Sequence, residues 1–82
     1  MFTIQIKETN GKIHYVSDVF FLSSDDGNRT IVNTEDGYFR ALKIKKKRVV
    51  DALLIIVKIA YPMCECSVIK TPKGWFIEHG KN

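Results

Sequence analysis

The chain has little of what would staple, anchor or extend a protein. It carries two cysteines, Cys64 and Cys66. In an extended Cys-Glu-Cys segment both side chains leave the same face two residues apart, with β-carbons too far separated for an unstrained disulfide. Free thiols are expected, and a secreted disulfide scaffold is not. Long apolar runs are missing as well. The longest, residues 52–61, is interrupted by Lys58 and falls well short of the roughly 20 residues that cross a bilayer as a helix. No membrane partner is expected. The opening residues 1–7 alternate apolar and polar instead of forming the continuous apolar region of a secretory signal, which predicts a cytoplasmic chain. Gly11, Gly27, Gly37, Gly74 and Gly80 stand isolated, so there is no glycine-rich phosphate loop.

What is present is an ordinary globular balance. With 82 residues, 45% hydrophobic and 27% charged, the chain can bury one core and no more. The net charge of +4 hides an asymmetry. Residues 1–42 hold four bases and six acids and carry −2, while residues 43–82 hold nine bases and three acids and carry +6. The positive field centres on Lys43, Lys45, Lys46, Lys47 and Arg48.

Turn dipeptides divide the rest. Asn10-Gly11, Asp26-Gly27 and Asp36-Gly37 are pairs that tolerate positive φ at both centres of a type I′ hairpin turn, and Pro72-Lys73-Gly74 is a fourth turn. Between them Phe2, Ile4 and Ile6 alternate with polar residues, which predicts a first strand with one buried face. Residues 13–22 read either as two strands or as one bulged strand around Ser17-Asp18, and 30–34, 38–44, 64–71 and 75–78 complete the strand candidates. In residues 45–60, Val49, Leu53, Ile56 or Val57, and Ala60 recur at helical spacing, but Ile55, Ile56, Val57 and Ile59 are β-branched. The compromise is a helix over 46–54 followed by a buried strand over 55–59. The expected fold is α+β, an antiparallel sheet of five to seven short hairpin-connected strands with one helix packed on it, in a single domain.

The basic cluster is the most distinctive chemistry. Clustered bases bind nucleic-acid backbones by displacing condensed counterions, and at a helix start unpaired N–H groups favour the same anion. A solvated, lysine-rich edge that resists aggregation is the plainer alternative. Tyr38 and Phe39 lie next to Arg40 and Lys43, the makeup of a stacking surface for single strands, although alternation assigns Phe39 to the core. Trp75 and Phe76 fit core or a cross-strand pair. The soft metal ligands Cys64, Cys66, His14 and His79 lack the Cys-x2–4-Cys spacing of a structural zinc site, so neither a metal nor another cofactor is expected. Asp25, Asp26, Glu35 and Asp36 belong to hairpin tips. No enzyme is expected.

Ile4-Gln-Ile-Lys7, Asn10-Gly-Lys-Ile13, Val16-Ser-Asp-Val-Phe-Phe-Leu22, the run from Arg29 through Thr34-Glu-Asp-Gly-Tyr to Arg40, and Val49-Val-Asp-Ala-Leu53 together resemble the LytTR DNA-binding domain over residues 4–54. The resemblance implies DNA binding by a regulator. It would also make Val57-Lys-Ile59 a strand, in the place of that family's R-I-H-R-S motif, with Ala60 and Pro62 where the family has histidine and serine.

The expected function is therefore a non-enzymatic nucleic-acid-binding regulator, with DNA as the first candidate. Lys45, Lys46, Lys47 and Arg48 would contact phosphates, and Arg40, Lys43 and Lys58 would flank them. The alternative is a small protein-binding module or inhibitor, of the kind phages and mobile elements encode, acting on a larger protein. A homodimer paired through an exposed strand is a third possibility.

Overall fold

The computed structural model describes residues 1–71, apart from the Tyr38 side chain. The turn at 72–74, the strand at 75–78 and the orientation of Tyr38, Trp75 and Phe76 lie outside the described residues. Four antiparallel strands, β1 (Phe2–Lys7), β2 (Ile13–Ser24), β3 (Gly27–Glu35) and β4 (Glu65–Lys70), form a sheet in the order β3-β2-β1-β4. One helix, α1 (Lys47–Ala60), packs on it, which makes the fold α+β as expected.

The alternation of β1 sets the core. Ile4 and Ile6 turn to the helix side, where Ile6 lies opposite His14 on one neighbour and Cys66 on the other. With Val16 and the helix residues Val50 and Val57 they form a cluster from which solvent is excluded. His14 is buried against the edge of Tyr61, with ring centroids 6.0 Å apart. Both cysteines are free.

Residues 13–24 form one strand with a bulge, seen as a register shift between Val16 and Asp18. The bulge has a structural consequence, since an extra residue bends and twists its strand. β2 pairs with β1 only from Gln5 to Lys7, leaving the first half of β1 without that neighbour. Leu42 and Ile44 fill the gap. The Leu42 N–H donates to the Val16 carbonyl at 2.9 Å, and Phe2 and Ile44 exchange bonds of 2.7 and 2.9 Å.

The continuous strand expected over 38–44 is therefore absent. Tyr38–Arg40 is a 3-10 turn, and the segment after it meets the sheet through the Leu42 hydrogen bond and the Ile44 bridge. Phe39 is accordingly 54% exposed, not core, because the turn breaks the alternation that would have carried its ring inward. The type I′ expectation fails too. Among the described residues no non-glycine has positive φ, so Asn10, Asp26 and Asp36 do not take the conformation it requires. Asp25 and Asp26 link the paired residues Ser24 and Gly27, with φ of 120° carried by the glycine. Gly11 (φ 90°) serves a five-residue loop closed by a Glu8 N–H bond to the Lys12 carbonyl.

The helix is longer than expected, and residues 55–59 are helix, not strand. Their β-branched character disfavours a helix by only tenths of a kcal/mol per residue, whereas the helix buries Val50 and Val57, two turns apart, on one stripe with Leu53 and Leu54 beside them. Val49, which the periodicity placed inward, is 43% exposed. The inward stripe lies one residue further along the chain.

Candidate nucleic-acid interface

The basic cluster sits where the extended segment after the 3-10 turn becomes the helix. Leu42 and Ile44 are half-buried while Lys43 and Lys45 are exposed, so the wedge that completes the sheet also holds two lysines outward. Lys46 is the residue preceding the helix, with extended backbone at φ −95° and ψ 124° and no side-chain capping bond. Lys47 and Arg48 form the first turn, which contains no acidic residue.

The first N–H groups of a helix have no intrahelical partner and carry partial positive charge. A Ser or Asp before the helix would satisfy one of them. Here the sequence supplies lysine instead, and the local electrostatics favour an external anion. Lys47 is partly neutralised by an ion pair to Asp51, Nζ to Oδ2 2.9 Å. Lys45, Lys46 and Arg48 make no ion pair among the described residues.

The site residues expected from sequence are not all brought together. Lys45, Lys46, Lys47 and Arg48 are consecutive, Lys43 stands one half-buried residue before them, and all five are exposed. Arg40 lies in the 3-10 turn next in sequence to exposed Phe39. Lys58 is separate. It lies eleven residues beyond Lys47 on the same helix, about 16 Å along the axis at 1.5 Å per residue.

Sequence reasoning missed a second feature, an exposed apolar surface. Phe20, Phe21, Leu22 and Ile31 on the β2–β3 hairpin are exposed, as are Ile55 and Ile59 on the helix. The signal was present in Phe20-Phe21-Leu22, since three consecutive apolar residues in a strand place apolar side chains on both faces. Thr30 on the hairpin and Ile56, Ile59 and Ala60 on the helix line an open groove of about 350 Å³.

Among the described residues no group of three or more His, Cys, Asp or Glu is arranged to hold a metal, and no helix is long and apolar enough to cross a membrane. No family model, curated protein or solved structure matches the chain.

Proposed function

We propose that the chain is a non-enzymatic, nucleic-acid-binding regulatory protein whose phosphate-contacting surface is Lys45, Lys46 and Arg48, with Lys43 and Lys47 beside them and Arg40 and Phe39 at the flank. The observation that carries this reading is the uncapped helix start set within a contiguous run of exposed bases. Phosphates would satisfy the orphan N–H groups and neutralise the bases together. Exposed Phe39 next to Arg40 adds a stacking element suited to unpaired bases. The sequence resemblance to LytTR domains makes duplex DNA the other ligand to try.

The test is fluorescence anisotropy with random duplex DNA and single-stranded RNA across a range of salt. Binding should weaken steeply with salt. In Lys45→Ala/Lys46→Ala/Arg48→Ala the slope of log K against log salt on duplex DNA should flatten by about 2–3, near 0.9 for each phosphate that the protein no longer neutralises. No binding at low salt, or a variant indistinguishable from the parent, would overturn the proposal. A protein-binding module or inhibitor is the second reading, favoured by the exposed apolar hairpin and helix face.

A further inference from the structure

Every residue from Phe20 to Ile31 is exposed. In this stretch β2 and β3 pair with each other and with no third strand, because β1 pairs with β2 no further than Tyr15. A two-stranded ribbon with nothing packed on it is marginal in water. This ribbon is also apolar on both sides. Phe20 lies opposite Ile31 on one face, and Phe21, 65% exposed, lies opposite Thr30 on the other.

The helix repeats the pattern. A surface helix of this kind normally shows water a polar face, yet its outward side presents Ile55 and Ile59, the latter 76% exposed. Thr30 and Ile59 line the same groove, so the Phe21 face of the ribbon and the outward face of the helix are continuous.

We propose that two copies of this chain form a symmetric dimer in which the β2–β3 arm of each lies along the outward face of the other's α1. Area and charge both favour a second copy as the occupant. Phe21, Ile55 and Ile59, which share the continuous face and are 65%, 63% and 76% exposed, offer roughly 300–500 Å² of apolar surface at ~150–250 Å² per fully exposed large side chain, about half of the ~800 Å² each side of a stable dimer buries, with a polar rim to supply the rest.

The rim charges are complementary within one sequence. Asp25 and Asp26 at the arm tip have no ion-pair partner among the described residues, and neither does Lys58, which stands beside Ile55 and Ile59 on the helix. An apolar arm ending in acids fits an apolar helix face edged by a base, and two-fold symmetry makes the contact twice. The contact uses the arm and the outward helix face and needs no nucleic acid, so it does not rest on the nucleic-acid reading.

The test is sedimentation equilibrium of the full chain, without nucleic acid, over a wide concentration range. The mass should rise from 9.4 kDa towards twice that value. Phe21→Glu and Ile59→Lys should each remain monomeric with an unchanged circular dichroism spectrum. Lys58→Glu should weaken the dimer several-fold, and adding Asp25→Lys/Asp26→Lys should restore it. These charge reversals lie at exposed positions, so they decide the matter even if an apolar variant fails to fold. A parent chain that is monomeric throughout would overturn the proposal and leave the apolar surface to a different protein. So would a dimer indifferent to the apolar variants, or one that the paired reversal does not restore.

Discussion

Cys66 shows how burial of a single side chain becomes a pH dependence. Its thiol is pushed above the ordinary value of 9.0, first by burial and then by neighbouring Cys64, with Lys58 pulling the other way. In the unfolded chain the thiol ionises near that ordinary value, while the folded chain holds the proton to higher pH. Above about pH 9 the unfolded state therefore binds fewer protons, and stability falls as pH rises. Urea unfolding at about pH 8 and about pH 10 should show this loss in the parent and a smaller one in Cys66→Ala. An equal loss in both would contradict the assignment to this thiol. Core and surface also separate at this scale. Ile4→Ala, in the fully buried cluster, should cost about 2–5 kcal/mol by urea denaturation, whereas Phe39→Ala should stay within about 0.5 kcal/mol. Ile4 was legible in the sequence because Phe2, Ile4 and Ile6 alternate with polar residues, whereas the full burial of Thr3 between them was not. Phe39 was not, because a single 3-10 turn cancels the alternation and leaves no mark in the residues themselves.

Among the elements, the helix start is where stability and the proposed function oppose each other. Lys46 already has the extended backbone of a capping residue but no oxygen to offer. Lys46→Asp should stabilise the fold by about 0.5–2 kcal/mol in thermal or urea unfolding. The same change should weaken nucleic-acid binding, since it places a carboxylate where a phosphate is proposed. A variant that gains stability and keeps full affinity would place the phosphate elsewhere. The basic cluster and its place at the head of the helix were legible because charge needs no fold to be seen. The helix's length was not, because β-branched residues 55–59 satisfy strand propensity locally and only the two-turn spacing of Val50 and Val57 against the sheet decides for helix. The β2–β3 arm was half legible. Its strands and acidic tip could be read, but not the loss of β1 as a neighbour, which follows from the bulge after Val16 and the wedge of Leu42 and Ile44.

Across the whole molecule the charge asymmetry of the sequence becomes spatial. Asp25 and Asp26 go to the hairpin tip, Asp36 pairs with Lys12 at 3.6 Å, and Asp51 pairs with Lys47 of the basic run. The phosphate site proposed at the helix start and the dimer contact proposed at the arm and outward helix face both involve α1, but Lys45 and Lys46 precede the helix, so Lys45→Ala/Lys46→Ala and Phe21→Glu would test the two separately. Paired clusters on a dimer would raise apparent affinity for long ligands by bringing the second cluster to high local concentration. Phe21→Glu should accordingly lose more affinity for a long duplex than for a short one, as measured by anisotropy. The phosphate site can be located by a nitrogen-15 correlation spectrum of the chain titrated with single-stranded RNA and with duplex DNA at low salt. With at least one of them the amide shifts should concentrate at residues 43–50, with Phe39 and Arg40 at the margin, and added salt should reverse them. Shifts confined to the arm at 20–31, or none with either ligand, would contradict that placement.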